Sequence, residues 1–296
     1  MPSFTRTVRK AIIPQRSAVL VTGASTGIGK ACALRLARDG FYVFAGIRKK
    51  TDGDPLKKEA SSHRIEPIQI DVAREDMIIA AHQMVTERLG QRSFTGLVNN
   101  AGIVVPGPLE CLTMDDLRRQ FEVNVIGQMA VTKAFLPQLR QNQGRVVVIG
   151  SSSGWLSVPG IGAYCASKFA VRGLFNALRM ELSPWHVFVS QVDPGCIESA
   201  IWDKSLDEAR DRRKRLSAEV ERLYGPSMDG AEKAAIKFYA TAVPADHVAN
   251  KVAHALTVKR PRSRYMLPMG AQIERLISFL PAFIQDRVVK RSAGFK

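Results

Sequence analysis

Apolar positions along the chain follow two rhythms. Short runs rich in β-branched and aromatic residues fall at 18–22, 42–46, 68–70, 96–98, 145–149, 187–192 and 264–267. Between them apolar side chains recur every three or four residues, most clearly over 28–39, 74–89, 115–140 and 163–183, the spacing that gives a helix one buried face. Strand and helix alternating over about seven cycles predict an α/β fold, a doubly wound parallel sheet of about seven strands with helices on both faces. The run Val146-Val147-Val148-Ile149 has no polar alternation, as expected of a strand covered on both sides. Gly40 stands where the first helix should end, because glycine takes the left-handed closing conformation at no steric cost.

The rhythm delimits one domain over about 18–270, with a basic arm before it (1–17) and a basic, apolar tail after it (271–296). It breaks over 196–245, a long interval charged around Asp211-Arg212-Arg213-Lys214-Arg215. An insertion at the carboxyl edge of a parallel sheet is placed to act as a substrate loop, with a solvated helical excursion as the alternative.

Composition narrows the function classes. With 296 residues, 46% apolar and 24% charged, the chain can bury a large core without cross-links. Cys32, Cys111, Cys165 and Cys196 form no C-x-x-C pair, which argues against a disulfide framework or a zinc site, so no metal is expected. The formal charge of +16 points at first to a polyanion partner. Much of it sits at the ends: Arg6, Arg9, Lys10 and Arg16 with no acid before them, and nine basic residues over 259–296 against Glu274 and Asp286. No nucleic-acid-reading motif accompanies this charge, so no nucleic acid partner is expected. No stretch is long and apolar enough to span a bilayer, and a cytoplasmic location follows, with the arm readable either as a mobile basic segment or as organelle targeting.

The chemistry is concentrated at strand ends. The first strand runs into Thr22-Gly23-Ala24-Ser25-Thr26-Gly27-Ile28-Gly29, and glycines at a strand-to-helix turn let a pyrophosphate approach the backbone and the positive end of the helix. Asn99-Asn100-Ala101-Gly102 follows the fourth strand, Ser151 the fifth, and Tyr164-Cys165-Ala166-Ser167-Lys168 opens the next helix. Tyr164 and Lys168 are four residues apart and share a helix face. An ammonium about 4 Å from the phenol at an effective dielectric of about 20 favours phenolate by about 4 kcal/mol, which brings tyrosine within range as a general acid or base. Ser151 is placed to hold a carbonyl or alcohol oxygen, with Ser152 and Ser153 as competitors.

These four elements, in this order and with 13 residues from Ser151 to Tyr164, resemble the short-chain dehydrogenase/reductase family over about 18–200. The resemblance implies a Rossmann-type fold and an NAD(P)-dependent oxidoreductase acting on CH–OH groups. It implies Asn124, Ser151, Tyr164 and Lys168 as catalytic, with Asn124 completing a proton relay; by itself Asn124 reads as a helix-kink residue. It assigns cofactor contacts to Gly23, Ser25, Thr26, Gly27, Ile28, Gly29, Asn100, Ala101, Gly102, Tyr164 and Lys168. Asp71 and Val72 match adenine-binding positions, with a buried or turn-forming aspartate as the alternative. Asp193-Pro194-Gly195-Cys196-Ile197-Glu198-Ser199 is similar to the family's nicotinamide segment, implying contacts from Pro194, Gly195, Ile197 and Ser199, with Ser199 where threonine is usual.

Cofactor choice turns on the second strand's end. Ile47 occupies the position of the carboxylate that NAD sites present to the ribose, and Arg48 offers a fork to a 2′-phosphate, so NADP(H) is expected, with NAD(H) as the alternative. Thr26 lacks the second basic side chain of many NADP-using relatives. The tail segment 276–284 is apolar and flanked by Arg275, Arg287, Lys290 and Arg291; it suits an anionic lipid surface, or packing over the cleft or at an interface. The layout is similar to the retinol, hydroxysteroid and 3-hydroxybutyrate dehydrogenase branch. That resemblance implies a hydrophobic secondary alcohol or ketone of the steroid, retinoid or lipid class, and a homo-oligomer. A dinucleotide-binding regulatory protein without catalysis is the reading from another class.

Overall fold

The computed structural model describes residues 12–60 and 64–293. Most of the basic arm, and with it the choice between mobile segment and targeting signal, lies outside the described residues. Seven parallel strands form one sheet: β1 (Ser17–Val21), β2 (Tyr42–Ile47), β3 (Ile65–Gln69), β4 (Ser93–Asn99), β5 (Arg145–Ile149), β6 (Phe188–Pro194) and β7 (Arg264–Leu267), in the order β3-β2-β1-β4-β5-β6-β7. The order reverses between β1 and β4, and such a switch opens a crevice at the carboxyl ends of the strands.

Both faces of the sheet are covered, which accounts for strands without polar alternation. Val19 and Val21 of β1 and Val147 and Ile149 of β5 belong to one core, with Leu36 of α1 (Gly27–Arg38) and Val252 of α9 (Asp246–Thr257). The alternate residues Ala18, Leu20, Val146 and Val148 enter a second core. There they meet Ile78 of α3 (Glu75–Arg88), Phe135 of α5 (Gln128–Gln141) and Phe175 of α6 (Gly162–Glu181). A pleated strand presents neighbours to opposite faces, so two cores require apolar residues at every position.

The expected continuous helix over 115–140 is divided. A capping box between Thr113 and Asp116 starts α4 (Met114–Phe121), a π-helical turn covers Glu122–Gly127, and α5 follows. The wide turn has a steric and a polar cause. A side chain on Gly127 would collide with the carbonyl of Val72, and buried Asn124 is tied to a neighbouring loop. The third strand begins earlier than its apolar run and contains Pro67, which an edge strand tolerates because it has a partner on one side only.

The interval 196–245 is helical: α7 (Ala200–Arg213) and α8 (Ala218–Tyr239) follow the end of β6. After the short α2 (Gly53–Glu59) between β2 and β3, the remaining helices are α10 (Met269–Ile277) and α11 (Ala282–Ser292) in the tail. Among the described residues no helix is long and apolar enough to cross a membrane.

Candidate active site

Thr22 and Asn100 tie two strand ends together at the switch point. The Thr22 hydroxyl accepts from the amides of Asn100 (3.0 Å) and Ala101 (3.1 Å), while Asn100 Nδ2 donates to the carbonyls of Thr22 (2.9 Å) and Gly23 (3.0 Å). The glycine turn and the Asn-Asn-Ala-Gly turn are therefore one rigid wall. Gly23 (φ 64°) and Gly27 (φ 54°) adopt left-handed conformations that side-chain-bearing residues avoid, and a Cβ on Gly23 would stand 3.0 Å from Ala101 Cα. A Cβ on Gly29 would strike the Gly23 carbonyl, and one on Gly27 the hydroxyl of Ser199. The turn thus leaves its backbone bare at the amino end of α1.

Opposite this wall, Ser151 follows β5, and Tyr164 and Lys168 stand one turn apart on α6, all three buried. Lys168 Nζ donates to the carbonyl of Ile149 at 2.9 Å and lies 5.6 Å from the centroid of the Tyr164 ring. The electrostatics differ from the sequence expectation. Burial pushes the Tyr164 phenol up to about 12, and the opposing influence is a hydrogen bond from Ser151 rather than the Lys168 ammonium. Burial also pulls Lys168 down to about 8, countered by the Asp193 carboxylate. In the protein alone, desolvation outweighs the lysine–tyrosine attraction, and a serine does part of the work assigned to the lysine.

The walls enclose a cleft of about 570 Å³. From the glycine turn it is lined by Gly23, Ser25, Thr26 and Ile28, and from the second and third strand ends by Arg48, Asp71 and Val72. Asn100, Ala101, Gly102, Ser151, Tyr164 and Lys168 continue the lining, and Pro194, Gly195, Ile197 and Ser199 close it. Gly27, Gly29 and Asn124 stand behind this surface rather than on it. Asn124 is fully buried; its Oδ1 accepts from the Ile103 amide (2.8 Å), and its Nδ2 donates to the Ile103 carbonyl (3.0 Å) and Ser167 Oγ (3.1 Å). It braces the π-turn against α6 and makes no hydrogen bond to Lys168 among the described residues. Asp71 accepts from the Ala73 amide at 3.0 Å and so forms a turn while also facing the cleft.

A dinucleotide fits this cleft on three structural grounds. The bared backbone at the start of α1 suits a pyrophosphate. Ile47 at the end of β2 is buried and offers no carboxylate, whereas Arg48 is exposed and its guanidinium has no ion-pair partner among the described residues. Ser199 caps α7 by accepting from the Ile201 amide at 3.4 Å, its hydroxyl beside Gly27.

Residue-by-residue reading of the sequence missed the far end of the cleft. Ile103, Val104, Ile201 and Trp202 line it, with Arg119 and Glu208 paired across it. A second link joins the same helices: Arg212 of α7 donates to both oxygens of Asp116 on α4, at 2.5 and 2.9 Å. Trp202 was accessible to inspection, three residues beyond Ser199; the pairing of residues 96 apart was not.

Residues 17–210 match the model of the family described as short chain dehydrogenase. The chain belongs to this family. Rat (Rattus norvegicus) retinol dehydrogenase 7 is 35% identical over 279 residues, covering 92% of this chain and 87% of the rat protein. An NADPH-dependent 3-dehydrocapnine reductase from Ornithobacterium rhinotracheale is 30% identical over 275 residues, covering 91% of this chain and 94% of that protein. A crystal structure of a short-chain dehydrogenase from Streptomyces avermitilis superposes with a TM-score of 0.73 at 28% identity, covering 94% of this chain and 98% of that one. This short-chain dehydrogenase is thus an NAD(P)-dependent oxidoreductase of the retinol dehydrogenase branch.

Proposed function

We propose that the protein is an NADP(H)-dependent oxidoreductase that interconverts a hydrophobic secondary alcohol and its ketone, of the steroid, retinoid or lipid class. The observation that carries this reading is a single cleft with Ser151, Tyr164 and Lys168 on its wall, Arg48 on the lining with no ion-pair partner among the described residues, and Ile103, Val104, Ile201 and Trp202 at its far end. When bound, the nicotinamide supplies or takes up a hydride at the substrate carbon. The residues of the chain handle the oxygen and the proton. Ser151 holds the substrate oxygen by a hydrogen bond, and Tyr164 gives or takes the proton at that same oxygen. Lys168, pulled down to about 8 by burial, returns that proton and adds positive charge beside the phenol. The bared glycine turn, Asp71 and Val72, the Asn100–Gly102 turn and the Pro194–Ser199 segment form the dinucleotide's bed, and Asn124 holds the π-turn behind it.

NADP(H) is favoured because a guanidinium makes bidentate contact with a phosphate, and the exposed Arg48 has nothing else to pair with among the described residues. The relative from Ornithobacterium is named as NADPH-dependent, which agrees. The test is an activity matrix of both cofactors against retinoid, steroid and small polar substrates. It should show higher kcat/KM with NADP(H), turnover of the hydrophobic members, and loss of the NADP(H) advantage in Arg48→Ala. Equal use of NAD(H), or turnover of polar substrates alone, rejects the corresponding part.

A peripheral lipid surface near the cleft belongs to the same reading. Met269, Ile273 and Leu276 lie along one face of α10 and are exposed, as are Phe279 and Phe283, with Arg275, Arg287 and Lys290 beside them. This is the pattern of a segment resting on anionic headgroups. Co-sedimentation with phosphatidylserine vesicles, lost in Phe283→Glu, checks it. A cytoplasmic homo-oligomer completes the reading, and analytical ultracentrifugation checks the assembly.

A further inference from the structure

Asp193 is the last residue but one of β6, and it is 2% exposed. A carboxylate so buried needs partners, and it has two from distant parts of the chain. Trp155 Nε1 donates to its Oδ2 at 3.0 Å, and Arg264 Nη1 of β7 at 2.5 Å. Its other oxygen rests against the backbone of Gly150, where a Cβ would collide with Asp193 Oδ1. Gly150 lies between Ile149, whose carbonyl accepts from Lys168, and Ser151. The Gly150 amide in turn donates to the carbonyl of Val192, one residue before Asp193, at 2.8 Å. The carboxylate therefore sits under the short backbone segment that carries both the lysine's acceptor and the serine.

We propose that Asp193 is a positioning residue for the Ser151–Tyr164–Lys168 group: clamped by Trp155 and Arg264, it keeps the Lys168 ammonium charged and fixes the Ile149–Ser151 segment. The inference rests on the reading of those three residues given above. Lys168 is buried, and burial favours the neutral amine. Among the described residues Asp193 is the anion that acts against that, and it raises the lysine's proton affinity. It also raises that of the Tyr164 phenol, so removing its charge moves both groups in one direction.

The charges around Asp193 define the balance. Arg264 neutralises it directly and also bonds to Asn176 on α6 at 3.3 Å. The guanidinium carbons of Arg172 on α6, Arg264 on β7 and Arg275 on α10 lie 4.1, 4.8 and 4.8 Å from the centroid of the Trp155 ring. Arg172 feels both Asp193 and the other two arginines. Glu274 of α10 is bonded to Ser152, and burial raises its proton affinity. Loss of Asp193's charge exposes Lys168 to burial unopposed, while loss of Arg264 leaves Asp193 acting on Lys168 less screened.

The test reads Lys168 directly, without cofactor or substrate. Trace acetylation by acetic anhydride, followed at Lys168 by mass spectrometry over the pH range from about 6 to about 10, gives the midpoint at which the ammonium becomes reactive amine. Asp193→Asn, of the same shape, should lower that midpoint by about one pH unit, and Arg264→Gln should raise it. Kinetics with a ketosteroid and NADPH should show the alkaline fall of kcat/KM moving with the midpoint in each variant. If Asp193→Asn does not fold by circular dichroism, the Arg264→Gln shift decides. Unmoved midpoints in the folded variants, or shifts of the same sign in both, overturn the proposal, since a merely structural role changes kcat without changing the titration. Full activity in Tyr164→Phe would instead remove the reading of the dyad itself, whatever Lys168 does.

Discussion

Lys168 donates to the carbonyl of Ile149 at 2.9 Å, so the ammonium on α6 is pinned to the strand that ends at Ser151. That single bond couples the helix bearing Tyr164 to the strand bearing Ser151. It comes at the expense of a buried positive charge, because burial lowers the lysine to about 8 from an ordinary 10.5. Replacing Lys168 by methionine should therefore inactivate the protein and stabilise it. The gain is about 1–2 kcal/mol at neutral pH, the relief of desolvation less one lost hydrogen bond of about 1 kcal/mol. The sign with pH follows from linkage: the folded lysine releases its proton before the unfolded one does. The penalty is full below about 8, shrinks as pH rises toward 10.5 and is absent above it. Urea unfolding of both proteins at pH values on either side of this window checks the trend.

Tyr164→Phe should lower kcat by about 10²–10⁴-fold, the range of general acid–base contributions, while leaving dinucleotide affinity within about twofold. Phenylalanine keeps the ring and its packing and removes only the hydroxyl. Fluorescence titration with NADPH, alongside steady-state kinetics, separates the two effects.

Gly29→Ala should be among the most damaging single-methyl changes in the chain. The added carbon would meet the Gly23 carbonyl, a backbone atom that cannot turn aside, in the turn held by Thr22 and Asn100. A stability loss of about 1–3 kcal/mol is expected from overpacking of this kind, with a larger fall in NADP(H) affinity. Thermal melts with and without NADP⁺ would show the ligand-induced rise in Tm diminished as well as the baseline.

The bidentate Arg212–Asp116 pair joins α7 to α4 beside Arg119 and Glu208, both of which line the cleft. Hydrogen bonds from Arg212 hold the Asp116 carboxyl well below the usual carboxylate range. Its stabilising contribution is present above the ordinary aspartate value and is lost as pH falls toward the folded one. Asp116→Asn should loosen the α7 roof and raise KM several-fold with a smaller change in kcat. It should also flatten the acid side of the stability profile. Kinetics and urea midpoints between about pH 3 and pH 7 test both effects.

Much of this architecture was legible in the chain because strand and helix write different periods. Residues 145–149 and 264–267 coincide with β5 and β7, since apolar runs bounded by polar turns leave little choice of ends. Tyr164 and Lys168 were legible as neighbours because four residues make about one helical turn. What stayed hidden depended on distant partners. The apolar period over 115–140 continues through the π-turn, whose cause is the close approach of Gly127 to Val72. The phenol's resistance to ionising depends on enclosure, which local spacing does not encode. Trp155, Asp193 and Arg264 are unremarkable in sequence and meet only because β7 lies beside β6.

The position of β7 has a practical corollary. Residues matching the family model stop at 210, yet the strand supplying Arg264 begins 54 positions later and is the outermost of the sheet. Trimming the chain to its recognisable core would strip the Arg264 guanidinium from Asp193 and bare one flank of β6. A minimal working unit must therefore extend past Leu267, and any tag or fusion at the carboxyl terminus needs a spacer beginning beyond α10, whose Ala271 packs against Gly195.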